Sequence, residues 1–385
     1  MYSHFIQFTI PKIGQALVAV ILYLNFLDLP FVQVFAGDRR LLYYGLPLLL
    51  LWGISFLSRN PLGFGMVFVG HLTVLYLLCD GATLLARLAG GPVLSVWQTV
   101  YAGGLLPWAV TALWMLWGRR RAVVLRLTRY RLTTAKALPG GSLRVLQISD
   151  LHPGPTMNHT RIPELREKIA LAAPDLIVLT GDIFDEYTSR TDFDAFCQFF
   201  GQLTPPLGKY FVYGNHDLGH YWTTASFTRA DLEAAFHAAG IQILEDQSQP
   251  ILSGVPLRVV GRRDWLFCQG RRLSPADLLP GGPDEVYTLW LDHEPRELAA
   301  AAAGADLILS GHTHGGQIWP TGLLARLFRY NELNYGMRQV TPTCAAVVSG
   351  GTGTWGYRVR TEGRTELVLV EIESTASCCS GNKDF

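Results

Sequence analysis

Residues 307–319 read LILSGHTHGGQIW, which sets His312 and His314 in a glycine-flanked turn behind a short apolar run. Four earlier clusters share that form. LRVLQIS runs into Asp150-Leu151-His152, DLIVLT into Gly181-Asp182, KYFVY into Gly214-Asn215-His216-Asp217, and VYTLWL into Asp292-His293-Glu294-Pro295. Asp150, His152, Asp182, Asn215, His293, His312 and His314 can all bind a metal, through oxygen or imidazole and never through thiolate. That donor mixture suits divalent first-row ions such as Mn, Fe or Zn better than a cysteine-rich structural site. Seven donors are too many for one tetrahedral ion and match two ions that share a bridging carboxylate. Glycine beside a donor lets the chain turn sharply and keeps a Cβ out of a crowded centre. His312 and His314 are expected to point from one turn toward adjacent ions, with Thr313 facing away.

The elements that must carry these clusters follow from the flanking pattern. Each apolar run is short and rich in β-branched or aromatic residues, the signature of a buried strand. Helical segments separate the runs, such as IPELREKIALAA, with Pro163 near its start and Pro174 after its end. Strand–helix alternation predicts parallel or mixed sheets covered by helices. Ligand sites in such sheets gather beyond the carboxyl ends of the strands, so five polar clusters at five strand ends are expected to converge.

The ordered set D-x-H, G-D, G-N-H-D, a lone His and G-H-x-H resembles the calcineurin-like metallophosphoesterase family, over residues 143–372. The long form GHTHGGQI, with the apolar N-terminal region, resembles the membrane-associated bacterial branch of that family. The resemblance implies a two-sheet β-sandwich flanked by helices, with a dinuclear site at the strand ends. It implies that Asp150, His152 and His314 hold one ion, that Asn215, His293 and His312 hold the other, and that Asp182 bridges them. His216 would stand outside both ions, bonding the phosphoryl oxygen or protonating the leaving group, with Asp217 as an orienting partner. In-line attack by a metal-bridging hydroxide would hydrolyse a phosphomonoester, phosphodiester or pyrophosphate. Two segments depart from the branch pattern: GRRDWLFCQGRR (261–272) has Asp264 where a paired acidic motif is usual, and GGTGTWGYRVR lacks the usual proline.

The chain has 385 residues, 49% of them hydrophobic, with a mean hydropathy of +0.21. The apolar excess sits before residue 120, in runs at 13–29, 41–57, 63–79 and 93–118. All four approach the length of a membrane span, the first if tilted or extended upstream by FIQFT. A cleaved signal peptide would account for only one run, and a buried soluble core is a poor account of four in succession. The expected fold class is therefore an α-helical transmembrane bundle followed by an α/β metallophosphoesterase domain. The expected organisation is a four-helix transmembrane region over 1–118, a linker with room for an edge strand over 119–142, the catalytic domain over 143–372 and a disordered tail over 373–385. Lys12, Arg59 and Arg119–Arg121 against Arg39, Arg40 and Arg87 lead to the expectation of a cytoplasmic catalytic domain, and the resemblance implies a bacterial inner membrane. His71 is expected to bond between helices and Asp80 to sit at the membrane interface.

The six cysteines are scattered, with no zinc-ribbon or disulfide spacing, and are expected to be reduced. A net charge of +1 gives no sign of a nucleic-acid partner, and none is expected. The expected partners are a lipid bilayer and a phosphorylated substrate, lipid-linked in the preferred reading, such as a UDP-linked acylated sugar. Arg262, Arg263, Arg271 and Arg272 with Trp265, Leu266 and Phe267 are read either as a headgroup or phosphate contact or as a solvated loop. Two alternatives are a tethered phosphatase or phosphodiesterase for soluble substrates, and a non-catalytic membrane scaffold with a phosphatase-like domain.

Overall fold

The computed structural model describes residues 12–376 except 28, 30–31, 33–44, 58–62, 155, 218–225, 252–255, 267, 269–270 and 280–284. The FIQFT extension, Arg39, Arg40, Arg59, Phe267, Cys378 and Cys379 lie outside the described residues. The chain divides into two compact units, one of residues 1–120 with 356–361, the other of 121–355 with 362–385.

The first unit is helical. Its described helices are α1 (Lys12–Phe26), α2 (Leu46–Leu57), α3 (Phe64–Ala89), α4 (Gly91–Tyr101) and α5 (Leu105–Val123). Two segments, Phe64–Ala89 of 26 residues and Gly91–Val123 of 33, are long and apolar enough to cross a membrane by length and composition. The second of these is broken where Ala102 and Gly103 take left-handed φ of 50° and 62°. Helices α1 and α2 are shorter, 15 and 12 residues, and the chain between them lies largely outside the described residues. Many leucines on α3 and α5 face outward, including Leu85, Leu88, Leu113 and Leu116. A helix apolar on its outer face suits lipid rather than water.

Several polar groups inside this unit are paired, while Trp108 Nε1 and Thr111 Oγ1 are buried without a hydrogen-bond partner among the described residues. Tyr76 Oη donates to the Gly104 carbonyl at 3.1 Å, and Asn25 Nδ2 donates to Asp80 Oδ2 at 3.2 Å. His71 meets the Val67 carbonyl at 2.8 Å and Thr361 Oγ1 at 2.9 Å. The expected hydrogen-bonding role of His71 is met in part by a neighbour on its own helix and by the 356–361 segment.

The second unit contains two mixed six-stranded sheets. The first has the order β1 (Arg126–Thr134), β12 (Glu366–Ser374), β2 (Ser142–Ile148), β3 (Leu176–Thr180), β4 (Lys209–Val212) and β5 (Ile241–Ile243). The second has the order β10 (Gly336–Thr341), β11 (Cys344–Val348), β9 (Leu307–Ser310), β8 (Tyr287–Leu291), β7 (Leu257–Gly261) and β6 (Gln247–Pro250). β2, β3, β4 and β5 run parallel, as do β7, β8, β9 and β11. Among the described residues, β1 lies at the sheet edge and pairs only with β12, which inserts between β1 and β2.

The strands sort their side chains with period two. Leu143, Val145, Leu176, Val178, Tyr210 and Val212 of the first sheet meet Leu257, Val259, Leu289, Leu291, Leu307 and Leu309 of the second in one core. The alternate residues Leu146, Ile148, Ile177, Leu179 and Phe211 face helices α6 (Ile162–Ala172), α7 (Arg190–Gly201) and α8 (Arg229–Ala238). Val260, Trp290, Ile308 and Ala346 pack in a third cluster with the short helices α9 (Pro275–Leu278) and α10 (Leu298–Ala301). Both faces of each sheet are therefore covered, which explains why these strands read as continuous apolar runs.

One buried polar link crosses between the sheets. Gln147 Nε2 donates to Thr180 Oγ1 and to the Ser310 carbonyl, both at 2.8 Å. Thr180 and Ser310 are the last residues of β3 and β9, so the bond ties together the two strand ends that lead into Asp182 and His312.

Candidate metal centre

Five strand ends deliver the expected side chains. β2 leads to Asp150 and His152, β3 to Asp182, β4 to Asn215 and His216, β8 to His293, and β9 to His312 and His314. Asp150, His152 and His314 offer donor atoms all within 4.8 Å of one another, and so do Asp182, His293 and His312. Asn215 joins the second group, with Oδ1 3.1 Å from His312 Nδ1. Asp182 stands between the groups: Oδ2 is 3.1 Å from His293 Nε2 and 3.7 Å from His152 Nε2. His314 Nε2 lies 3.4 Å from Asp150 Oδ1. Two ligands on one tetrahedral ion, at about 2.1 Å each, would stand about 3.4 Å apart, so these spacings have room for a shared ion.

The donor atoms also fit a metal by what they lack. His152 Nε2 and His293 Nε2 are buried without a hydrogen-bond partner, although each lies near Asp182. Buried ring nitrogens in that state are costly unless a cation meets them. Their other nitrogens are held in place. His152 Nδ1 meets Asp185 Oδ2 at 3.0 Å, and His293 Nδ1 meets the Thr180 carbonyl at 2.8 Å. Such outer contacts fix the tautomer and the ring plane of a ligating histidine.

The electrostatics favour a cation. Burial opposes ionisation of Asp182, but His293, His216 and His152 outweigh it and hold its pKa well below the ordinary carboxylate range. Burial would lower the His152 pKa, yet the bond to Asp185 and the charges of Asp182 and Asp150 raise it to about 9. A site that pulls a proton onto a buried imidazole is one that attracts a metal ion in its place. Burial and the neighbouring His293 push His312 down to about 4, leaving it neutral and able to ligate.

The backbone at these positions is strained. Asp150, His152, Asp182, His312 and His314 all have positive φ, between 43° and 70°. Left-handed conformations cost a non-glycine residue on the order of 1–2 kcal/mol and persist where surrounding structure over-determines them. Each of these residues lies two or four positions past a strand end. The flanking glycines relieve the crowding that results. A Cβ on Gly214 would stand 2.3 Å from Asp182 Oδ1, and one on Gly181 2.4 Å from His293 Nδ1.

His216 sits beside the donor groups with its ring centroid 5.4 Å from that of His152 and 5.2 Å from that of Trp355. Its main-chain N–H donates to Asp182 Oδ1 at 2.8 Å, and its Nδ1 meets Glu186 Oε2 at 2.9 Å. Asp217 differs from the orienting role expected of it. Its carboxylate accepts the N–H groups of Asp182, Ile183, Phe184 and Gly214 at 2.7–3.0 Å. It thereby fastens the loop after β3 to the loop after β4, while Glu186 is the carboxylate at the His216 ring. Thr313 turns to the Asn334 carbonyl at 2.6 Å, away from the flanking imidazoles.

Asp185 and Glu186 escaped the sequence reading because each acts on a histidine roughly thirty residues away in the chain. Their signal was the pair of consecutive acids in GDIFDEY, behind two apolar residues. Two of the loop arginines are structural rather than free for a phosphate. Arg262 Nη1 bonds Glu297 Oε2 at 2.9 Å, and Arg272 Nη1 bonds Asp292 Oδ1 at 2.9 Å. Arg262 also lies 3.5 Å from Asp292, and Arg272 Nη2 3.2 Å from Glu297. This cluster pins the end of β8 directly before His293. Arg263 and Arg271 remain exposed, and Arg272 packs its guanidinium over Trp265.

Comparison with known proteins places the chain in a family. The calcineurin-like phosphoesterase family profile matches residues 143–316. An uncharacterized metallophosphoesterase of Aquifex aeolicus is 30% identical over 257 residues, covering 65% of this chain and 92% of that one. Proteins described as transmembrane protein with metallophosphoesterase domain, from Danio rerio and Bos taurus, are 29% and 31% identical over 60% of this chain. The chain spans about half, 53%, of the length of these two vertebrate relatives. Among solved structures, Pseudomonas putida nuclease MPE aligns over 55% of this chain and 78% of its own, at 16% identity and a TM-score of 0.27. The chain belongs to the metallophosphoesterase family and is a metal-dependent phosphoester hydrolase with apolar, membrane-type helices before its catalytic unit.

Proposed function

We propose that the protein is a membrane-anchored, two-metal phosphoesterase acting on a phosphomonoester, phosphodiester or pyrophosphate presented at a lipid surface. The observation that carries this reading is the place of Asp182 Oδ2, within 3.1 Å and 3.7 Å of imidazole nitrogens that belong to separate donor groups. In this reading Asp150, His152 and His314 hold one ion, Asn215, His293 and His312 hold the other, and Asp182 is shared. When bound, the ion pair supplies the positive charge that neutralises phosphoryl oxygens and the means of activating water near neutral pH.

The remaining roles fall to the chain itself. Asp185 and the Thr180 carbonyl orient His152 and His293. The Asp182 carboxylate is held from one side by the His216 main-chain N–H, which leaves Oδ2 turned to the imidazoles. His216 is suited to give a proton to the departing alkoxide. Burial lowers its pKa, but Asp182 and Glu186 outweigh burial and raise it above the ordinary imidazole value, the direction a general acid needs. Trp355 limits the space beside that ring.

The lipid-linked half of the proposal is supported by the two apolar helices and by the vertebrate relatives described as transmembrane proteins. A tethered enzyme for soluble esters is the competing reading.

Asp182→Asn is expected to lose both ions together, with hydrolysis, when metal content is measured on the purified full chain; loss of a single ion would exclude a shared carboxylate. His216→Ala is expected to keep the wild-type metal content and to lower kcat by about 10²–10⁴ for alkyl esters. The loss should be far smaller for p-nitrophenyl esters, whose leaving group needs no proton. Glu186→Gln removes a carboxylate that raises the His216 pKa, so the alkaline fall of the alkyl-ester pH–rate profile should move to lower pH. Finally, kcat/KM should be higher for phosphoesters carried on vesicles than for soluble esters of the same headgroup, and equal values would favour the soluble-substrate reading.

A further inference from the structure

The segment that follows the GHTHGGQ turn presents an inverted helix. Helix α11 (Thr321–Leu327) packs through its small residues, with Gly322 and Ala325 buried. A Cβ on Gly322 would lie 2.6 Å from Glu362 Oε1, so that position packs too closely for any larger residue. Its large residues point the other way. Leu323, Leu324, Leu327, Phe328 and Tyr330 are exposed by 42–73%. Scattered exposed leucines are ordinary, but five large apolar side chains within eight residues form a contiguous patch of the kind that marks an interaction surface.

Beside this patch lies an open cleft of about 760 Å³ whose wall includes Arg121, Arg326, Arg329, Arg338 and Arg364. Two carboxylates share it, Glu332 and Glu362, and both are engaged. Glu332 accepts the main-chain N–H groups of Glu297 and Leu298, and Glu362 accepts that of Gly322 at 2.8 Å. Arg326 lies 3.5 Å from Glu362. Arg329 and Arg364 are exposed and have no carboxylate within ion-pair distance among the described residues. The cleft therefore carries a surplus of guanidinium charge, and two of its arginines come from the apolar segment itself.

We propose that this face seats the catalytic unit on a bilayer surface containing anionic lipid. Leu323, Leu324, Leu327 and Phe328 enter the boundary between headgroups and acyl chains, Tyr330 stays at headgroup level, and the arginines take the headgroup phosphates. The occupant is chosen by chemistry. Leucines and an aromatic that meet lipid tails, beside guanidiniums that pair bidentately with phosphate, form the mixture used by interfacial segments. The same chain carries helices fit to cross a membrane, which keeps such a surface at hand. The assignment stands apart from the two-metal reading, because docking requires no hydrolysis.

The test uses the full chain in proteoliposomes, in a cysteine-free background that keeps wild-type metal content, with a spin label on Phe328→Cys. Collisions with dissolved oxygen and with a water-soluble nickel chelate report depth. A second label on Leu171→Cys, exposed on helix α6, serves as the aqueous reference. In vesicles of phosphatidylcholine with phosphatidylglycerol, the label at 328 is expected to gain oxygen access and lose nickel access relative to the reference. Arg326→Glu with Arg329→Glu is expected to abolish that shift while leaving hydrolysis of soluble bis-p-nitrophenyl phosphate unchanged. A label at 328 as open to nickel as the reference overturns the proposal. So does a label shielded from both agents, which would assign the face to a protein partner, and so does a shift that is equal in pure phosphatidylcholine and indifferent to charge reversal.

Discussion

The catalytic unit is organised around one buried carboxylate. Asp182 is buried, ionised and ringed by imidazoles, one of its oxygens fixed by the His216 main-chain N–H and the other turned toward His152 and His293. A buried negative charge of this kind is sustainable only against positive charge. The surroundings supply it partly through histidine and leave two ring nitrogens bare. Much else in the unit can be understood as holding that arrangement still. Asp217 binds the loops after β3 and β4 through four main-chain N–H groups. Gln147 spans from β2 to the ends of β3 and β9, and the arginine–carboxylate cluster at Asp292 braces β8.

The cost of this arrangement is visible in the backbone. Five donor-bearing residues adopt left-handed φ directly after strands, a conformation their side chains disfavour. The two covered sheets impose it, because their strand ends stop where the donors must turn inward. Strain of this type is tolerated where rigid elements surround it, and here each strand behind a donor lies in a core with its apolar residues fully buried.

The sequence made the donors legible because each sits at a fixed offset behind a run with strand periodicity, and glycine marks the turn. Sheets covered by helices were legible from the same alternation, while their division into two packed sheets came from the family resemblance. Less of the supporting chemistry could be read. Asp185 and Glu186 act across the fold, so no local spacing announces them. Asp217 looked like a partner for its neighbour His216, yet successive residues diverge in direction, and its carboxylate turns to backbone. Arg262 and Arg272 resembled a free basic patch because the acids that neutralise them, Asp292 and Glu297, lie elsewhere in the chain. In the N-terminal region, hydropathy located the helices but gave no warning of the break at Ala102 and Gly103, where glycine permits left-handed geometry inside an uninterrupted apolar run. Helix α11 misleads for a related reason: its leucines suggest an inward face, and the packing instead selects the glycine and alanine.

The position of β12 has a consequence for how the molecule comes into being. This strand, near the C-terminal end of the chain, is inserted between β1 and β2, and β1 meets the rest of its sheet only through it. A ribosome that has delivered every donor up to His314 has therefore still not delivered the strand that closes the first sheet. Until it arrives, the edge of β2 stands open and β1 has no partner in the sheet, so long-range pairing of this order delays closure and leaves strand edges exposed while it waits. Shielding that edge during synthesis becomes a task for whatever else is nearby.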